Sequence, residues 1–390
     1  MFTFVYIVIY SCLHSLSMVS IDVIIPSFRL QSEYLLSLIK MEQPPDTVVR
    51  YLIIADNPKA SIPQALLPYI DGKKVILFRN PANLGSSGSR NKGIDNSIAE
   101  WILFLDDDVK PDKDLLFTYL RAIKDHPKEV GFFGKVLFPE PINNFTKGIV
   151  ASGLPKMYSI ADDFEYMRWY PTANVMIKRS AIGNTRFNEI FPKNGAGEEI
   201  EFFLSIHKNT GQDLKGVKKA IVHHNWWNNG KRDYTRFFRY LYGGALLSDF
   251  FPEYSFYNYP NVIESLFLGL FLGLVLWLIL HSALPMFCIF AGVITGECVV
   301  DFIRILKTRG FGRSIFVMEV FLIKAANDLG TLARVLKDLR IPYGFCRRFD
   351  IFCNQNTART NYFRYWARLK FAAYLMSSFA LYFLFTWLKK

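Results

Sequence analysis

Apolar and polar positions follow a regular block pattern along the N-terminal part of the chain. Short β-branched runs end at Pro, Asp or Asn, and stretches with apolar residues at helical spacing lie between them. Such runs predict buried strands, and the spacing predicts helices. The predicted strands are IDVIIPS (21–27), TVVRYLIIADNP (47–58), KKVILFRNP (73–81) and WILFLDDD (101–108), and the predicted helices between them are 30–42 and 87–99.

Strands that alternate with helices predict an α/β fold with parallel strands. Ligands of such sheets bind beyond the carboxyl ends of the strands. Polar groups follow three strand ends in this sequence, at Pro26–Ser27, Asp56–Asn57 and Asp106–Asp108. We therefore expect these groups to meet in one crevice.

The C-terminal part of the chain has the pattern of membrane segments. No Asp, Glu, Lys or Arg occurs in 265–296 or in 371–388, and a run of about 18 apolar residues is long enough to span a bilayer. The pattern predicts a transmembrane helical hairpin at 260–302 and a C-terminal transmembrane helix at 369–390. Charges interrupt the apolar spacing of 303–368 between them, which predicts basic helices at the cytosolic interface.

The net charge of +12 fits binding to a membrane or to nucleic acid. Lys and Arg cluster beside the apolar runs, as in RILKTRGFGR (304–313), and this favours membrane lipids over nucleic acid as partners. We expect an integral membrane protein with its α/β domain in the cytosol. The apolar N-terminal extension, 1–20, fits a short anchor, and its residues 1–17 fit an upstream extension equally well.

Two segments carry candidate chemistry. Asp106–Asp108 places three like charges at a strand end, where they repel one another and resist desolvation; it fits a solvated turn or a site for Mg²⁺ or Mn²⁺. In RNPANLGSSGSRNKG (79–93), Gly85 and Gly88 permit close backbone approach and Arg90 follows one helical turn later. This second segment fits an anion site or plain helix capping.

The candidate motifs occur in a particular order. They are PSF (26–28), DNP (56–58), N-L-G-x-x-x-x-R-N-x-G (83–93) and the hydrophobic strand followed by Asp106–Asp108. This ordered set resembles the nucleotide-binding half of family 2 glycosyltransferases, which have the Rossmann-like GT-A fold. TANVMIKRSAI (172–182), RFNEIF (186–191) and GAGEEIEFFLSIHKNTG (195–211) resemble the acceptor half. The resemblance covers about residues 21–230 and implies a GT-A nucleotide-sugar-binding catalytic domain at 21–245.

The resemblance implies roles for the residues at the strand ends. Pro26, Ser27 and Asp56 would hold the nucleoside base, with Asp56 accepting a hydrogen bond from a uracil-type N–H. Arg90 would face the diphosphate. Asp106 would lie near the ribose.

The resemblance also implies a bound divalent cation, Mg²⁺ or Mn²⁺. Asp108 would be its main ligand, and Asp106 and His223 are further candidates. His223 and the adjacent His224 are equally consistent with ordinary polar histidines. Asp107 would point away from the ligand and tolerate replacement best.

A general base must lie within reach of the acceptor hydroxyl. The family pattern here is Glu-Asp with the Asp as base, and Glu199 stands at that position with a side chain one methylene longer. Glu198 is the alternative, and acids at a helix start also favour the helix dipole. Trp226 and Trp227 are expected to wall the acceptor groove unless they are core or membrane-interface aromatics.

These features predict a metal-dependent, inverting transfer of one sugar from a nucleoside-diphosphate sugar, of the UDP class, to a lipid-linked or membrane-associated acceptor at the cytosolic leaflet. The Q-x-x-R-W element of processive synthases is absent, which favours transfer of a single sugar. Two alternatives remain open: a membrane-bound nucleotidyltransferase, and a catalytically inactive membrane scaffold with the same fold.

Overall fold

A computed structural model describes residues 18–388, so the N-terminal extension 1–17 lies outside the described residues. The chain forms two compact units. The first contains the chain up to Pro139, Tyr158–Asn194 and Glu198–Asn225, and the second contains Glu140–Met157, Gly195–Gly197 and the chain from Trp226 onwards. This division differs from the predicted catalytic domain, 21–245, because the helix that crosses residue 245 packs against a helix further along the chain.

Nine strands of the first unit form one mixed sheet. They are β1 (Val19–Ser27), β2 (Thr47–Ala55), β3 (Val75–Arg79), β4 (Trp101–Leu105), β5 (Val109–Pro111), β6 (Gly131–Leu137), β7 (Tyr166–Met167), β8 (Asn174–Lys178) and β9 (Leu214–His224). Their order is β3-β2-β1-β4-β8-β6-β9-β5, and β7 pairs with β9.

The first four strands are parallel, as the sequence pattern predicts. Ile21, Val23 and Ile25 on one face of β1 and Ile24 on the other are fully buried, as expected for a strand covered on both faces. Beyond β4 the sheet becomes mixed, because β8 runs antiparallel to both β4 and β6. The prediction of an α/β fold is confirmed.

Ten helices of eight or more residues occur among the described residues. They are α1 (Ser32–Ile39), α2 (Gly85–Asp95), α3 (Leu115–Asp125), α4 (Asn144–Ser152), α5 (Glu198–Thr210), α6 (Thr235–Phe250), α7 (Val262–Leu280), α8 (Leu284–Arg309), α9 (Val317–Lys337) and α10 (Thr357–Leu388). Single helical turns lie at Leu67–Tyr69, Pro155–Tyr158, Ile160–Asp162, Arg179–Ile182, Trp227–Gly230, Pro252–Tyr254, Phe311–Ser314 and Ile341–Gly344.

The second unit is helical apart from a short antiparallel pair, β10 (Ser255–Tyr257) and β11 (Arg347–Phe349). Three of its helices, α7, α8 and α10, are long and apolar enough to cross a membrane. Helix α8 extends beyond the predicted boundary at 302, and helix α10 begins before the predicted boundary at 369. In both, the helical structure continues into basic residues, which a hydropathy pattern assigns to the flanking segment.

A cluster of opposite charges joins three helices of the second unit. Glu297 and Asp301 of α8 are buried. Lys324 of α9 lies 2.7 Å from Glu297 and 2.8 Å from Asp301, and Lys370 of α10 lies 2.9 Å from Asp301. Buried charges are stable only when paired in this way, so the cluster fixes the register of α8, α9 and α10.

Gly330 permits the close packing of α9 on α6. A Cβ atom at Gly330 would overlap the carbonyl oxygen of Phe238 and lie 2.9 Å from the backbone nitrogen of Tyr242. We expect Gly330→Ala to destabilise the protein by about 1–3 kcal/mol, because backbone cannot move aside as a side chain can. Thermal unfolding in detergent measures this loss. Gly312→Ala is the matched control, since a Cβ there meets nothing within 4 Å; equal melting of the two variants would contradict the packing argument.

Candidate active site

Asp56 follows β2 and organises the start of α2. Its Oδ1 accepts hydrogen bonds from Asn80 Nδ2 and the Leu84 backbone N–H, both at 2.8 Å, and its Oδ2 accepts the Gly85 backbone N–H at 2.8 Å. Asp56 therefore closes the loop that leads into α2. The structure thus gives Asp56 a structural role, and its expected contact with a nucleoside base stays a prediction.

Gly85 is required where α2 begins. Its φ is +80°, and a Cβ atom there would lie 2.6 Å from the Cα atom of Lys193. The next residue, Ser86, donates its backbone N–H to the Lys193 carbonyl at 2.8 Å. The N-terminal turn of α2 is thus held against backbone that precedes α5, which brings two of the predicted motifs together.

The three carboxylates after β4 point to three different partners. Asp106 Oδ1 lies 3.2 Å from Arg90 Nη2. Asp107 Oδ2 accepts a hydrogen bond from the Ser27 hydroxyl at 2.5 Å. Asp108 Oδ1 lies 3.2 Å from His224 Nε2. Each carboxylate of the turn therefore contacts a different element of the first unit.

Asp108 also has a more exposed partner. Arg29 Nη2, in the loop after β1, lies 3.4 Å from Asp108 Oδ2, and more than half of the Arg29 side chain is exposed. An exposed pair at this distance contributes little to stability. Arg29 can therefore move without disturbing the fold.

Arg90 is buried and connects the acidic turn to α5. Besides Asp106, its Nη1 contacts Glu198 Oε1 at 3.2 Å, and Ser86 donates its hydroxyl to the same oxygen at 3.0 Å. The guanidinium lies 5.5 Å from the Phe187 ring centre. The structure places Arg90 inside the protein between two carboxylates, and its expected contact with a diphosphate stays a prediction.

This arrangement separates the two candidate bases. Glu198 is 1% exposed and accepts from Arg90 and Ser86, so it is a supporting residue. Glu199 is half-buried. Burial, followed by the neighbouring charge of Glu198, holds the pKa of Glu199 well above the usual range of a glutamate. Glu199 is therefore the better candidate for a proton acceptor near neutral pH.

Burial and neighbouring charge also shift the pKa values of Asp106 and Asp107 in the turn. Burial raises the pKa of Asp106; Arg90 opposes that rise and Asp108 adds to it. Burial and the charge of Asp108 raise the pKa of Asp107 to about 6. Because the like charges of the turn repel one another, a bound cation would lower the free energy of their charged forms.

The structure places the two histidines in different surroundings. Antiparallel pairing of β5 with β9 sets Val109 opposite His224, which brings His224 next to Asp108. His223 points to the other face, is more than half exposed and contacts Asp112 at 2.9 Å. The structure therefore favours His224 over the predicted His223 as a ligand candidate, and metal binding by either histidine stays a prediction. The inward direction of His224 is seen only in the structure, where its burial alternates with that of Ala220 and Val222, because Ala220, Ile221 and Val222 form an unbroken apolar run in the sequence.

The residues of the turn fit a divalent cation that is shared with phosphate oxygens. Among the described residues, no group of three or more His, Cys, Asp and Glu side chains forms a ready metal site. Asp108 and His224 offer two adjacent ligands, an oxygen and a nitrogen. Mg²⁺ in particular is commonly held by one or two carboxylates together with substrate phosphates.

The remaining predicted site residues are distributed over both units. Pro26 and Ser27 end β1 beside Ile54 and Ala55 of β2. Trp226 and Trp227 belong to the second unit, where the Trp226 indole donates to the Glu140 carbonyl at 3.1 Å. Their predicted place in an acceptor groove stays a prediction.

Residues 22–193 match the sequence model of the family described as glycosyl transferase family 2. The chain carries a family 2 glycosyltransferase domain. The resemblance of the ordered motifs is thereby confirmed. This glycosyltransferase domain includes Asp56, Arg90 and the Asp106–Asp108 turn, whereas Glu199 and His224 lie just beyond the matched residues.

The glycosyltransferase domain has a curated bacterial relative. A Campylobacter jejuni protein named GalNAc(5)-diNAcBac-PP-undecaprenol beta-1,3-glucosyltransferase is 29% identical over 196 residues, which are 49% of this chain. The match spans 60% of the length of that relative.

Solved structures of S. aureus TarS are similar in part. The structure of TarS 1–349 has a TM-score of 0.38 at 14% identity, and that of the same fragment in complex with UDP has a TM-score of 0.41 at 13% identity. Each comparison covers 82% of this chain and 91% of the TarS chain.

Arg90 is expected to be essential for the stability of the site. Arg90→Gln leaves Glu198 and Asp106 without their cation, which we expect to cost about 3–5 kcal/mol. Thermal unfolding in detergent measures the loss. Arg121→Gln, at an exposed position of α3, should change stability by less than about 0.5 kcal/mol. The double variant Arg90→Gln/Glu198→Gln should recover part of the loss; no recovery would show that the charge pair is not its cause.

Proposed function

We propose that the chain is an inverting glycosyltransferase that moves a single sugar from a nucleoside-diphosphate sugar of the UDP class to a lipid-linked acceptor. The observation that carries this proposal is the first unit's set of linked carboxylates. Asp106 and Asp108 follow a strand end, Glu199 is the second residue of α5, and buried Arg90 joins Asp106 to Glu198 next to that base.

Inversion needs one displacement and one proton acceptor. The acceptor hydroxyl oxygen forms a bond to the anomeric carbon as the bond from that carbon to the nucleoside-diphosphate oxygen breaks. Glu199 takes the hydroxyl proton, and the nucleoside diphosphate leaves with the electron pair. The raised pKa of Glu199 suits this task, because a carboxylate with an ordinary pKa is a weaker base.

Asp108 and His224 would hold the divalent cation, Mg²⁺ or Mn²⁺, and Asp106 lies next to them in the turn. When bound, such a cation neutralises the charge that develops on the leaving diphosphate. Asp107 and Ser27 form the opposite side of the turn, where their hydrogen bond fixes the end of β1. Asp107 is therefore predicted to tolerate only replacements that keep this hydrogen bond to Ser27.

Membrane association supports a lipid-linked acceptor. Three helices of the second unit are long and apolar enough to cross a membrane, and the Campylobacter relative is named for transfer to a glycan on undecaprenol-PP. The basic residues beside the apolar runs favour a cytosolic domain by the positive-inside rule. We propose that transfer occurs at the cytosolic leaflet.

A nucleotidyltransferase would use similar strand-end acids, and its reaction would release pyrophosphate. An inactive scaffold would have no reason to retain a buried base with a raised pKa. Strongly shifted carboxylates in a cleft are more typical of catalytic sites than of inert folds. The family 2 glycosyltransferase domain favours sugar transfer over both alternatives.

The direct test is a screen of nucleotide sugars with the full chain in detergent, with Mg²⁺ or Mn²⁺ and a polyprenyl-linked lipid extract. We expect lipid-dependent release of a nucleoside diphosphate. Release of pyrophosphate would indicate the nucleotidyltransferase, and no turnover with any donor would contradict the proposal.

Glu199→Gln should lower the transfer rate by at least about a hundredfold, because general-base catalysis typically contributes that much. The wild-type rate should rise with pH through a pKa above the ordinary glutamate range, since the deprotonated form is the active one. Rate–pH profiles measure both effects. Glu201→Gln, on the same helix, is the control and should keep the wild-type profile; a wild-type profile in Glu199→Gln would exclude it as the base.

The two histidines should differ in their effect on the metal. His224→Ala should raise the Mn²⁺ concentration needed for half-maximal activity by about tenfold or more, because it removes a candidate ligand. His223→Ala, one residue away and exposed, should leave that concentration unchanged. The measurement is a titration of activity with Mn²⁺ after the metal has been removed by chelation. A larger Mn²⁺ requirement in His223→Ala than in His224→Ala would reject His224 as a ligand.

A further inference from the structure

A small basic cavity lies in the second unit, beside the N-terminal half of α6. Its volume is about 60 Å³, and we call it the α6 cavity. Trp227 and Phe237 supply aromatic walls, and Lys231, Asp233, Arg236 and Arg239 supply charges. A cavity of this size has room for one small polar group.

The charge balance of the α6 cavity is positive, because it has three cationic residues and one carboxylate. That carboxylate is already engaged: Asp233 Oδ1 accepts the Thr235 backbone N–H at 2.9 Å and the Thr235 hydroxyl at 2.6 Å. These two hydrogen bonds are the main reason that the pKa of Asp233 is lowered. Asp233 is therefore engaged at the start of α6, and the charges of Arg239 and Arg236 lower its pKa less than these two hydrogen bonds do.

Arg239 is a cation of the cavity with a buried donor that lacks a hydrogen-bond partner. Among the described residues, its guanidinium has no hydrogen bond or ion pair, and its Nε atom is buried. Burial, and then repulsion by Arg236, lower the pKa of Arg239. Buried donors without partners are rare in proteins and call for an explanation. An anion in the cavity would satisfy the donor and relieve the repulsion.

Arg236 is held in place by aromatic contacts. Its guanidinium carbon lies 4.9 Å from the Trp227 ring centre, and its Nη1 donates to the Tyr240 hydroxyl at 3.3 Å. Stacking on a ring orients an arginine without neutralising its charge. Two arginines one turn apart on α6 thus present positive charge to the same small space.

We propose that the α6 cavity binds a phosphate group of a phosphorylated ligand. Arginine is well suited to phosphate because its planar donors match two phosphate oxygens at once. The phosphate could come from a polyprenyl diphosphate or from a nucleoside diphosphate. The lipid source rests on the proposed function, whereas the anion site itself rests only on the residues of the cavity.

The test is a set of binding titrations on the full chain in detergent. The probes are farnesyl diphosphate, UDP and inorganic diphosphate, measured by calorimetry, and phosphatidylglycerol vesicles, measured by sedimentation. Arg239→Gln should weaken binding of inorganic diphosphate and one organic diphosphate by about tenfold or more. Arg239→Lys should lie between wild type and Arg239→Gln. Arg121→Gln is the control for lost surface charge.

The identity of the weakened probe gives the source of the phosphate. Loss confined to farnesyl diphosphate, with UDP binding kept, identifies the lipid; loss confined to UDP identifies the nucleotide and leaves the anion site correct. Diphosphate binding equal to that of Arg121→Gln would overturn the proposal, as would a loss seen only with vesicles. If Arg239→Gln does not fold, Arg236→Gln provides the same comparison.

Discussion

The proposed site depends on the two ion pairs of one buried guanidinium. Arg90 lies between Asp106, at the end of β4, and Glu198, at the start of α5. Without it, Glu198 would lie buried without a cation, a state that costs several kcal/mol, and the partly exposed Asp106 would lose its ion pair. The ion pairs tie the acids of the parallel sheet to the helix that carries Glu199. One arginine thereby sets the spacing between the proposed nucleotide side and the proposed base.

This constraint gives neighbouring acids different tasks. Glu198 forms an ion pair with Arg90. Burial and the adjacent Glu198 carboxylate raise the pKa of Glu199. In the acidic turn, Asp107 fixes Ser27 while Asp108 faces His224. Adjacent residues of one chemical type thus separate into supporting and reactive groups through the partners that the fold supplies.

Features that depend on neighbouring residues in the sequence were predictable, and features that depend on residues far apart in the sequence were not. β-branched runs and polar stops identified the first four strands, because those signals are local. The place of Arg90 was not predictable, since its partners lie 16 and 108 positions along the chain. The difference between His223 and His224 was not predictable either, because the residues before them, Ala220–Val222, form an unbroken apolar run without alternation. The division into two units also escaped the sequence pattern, since helix α6 packs on distant α9.

The central claim is a single displacement by a family 2 glycosyltransferase domain. The most direct measurement is the anomeric configuration of the first product, read by proton NMR before any later rearrangement, from a donor of known configuration. The account predicts the opposite configuration in every new glycosidic bond. Retention of the donor configuration would contradict it, because retention cannot arise from one attack assisted by Glu199.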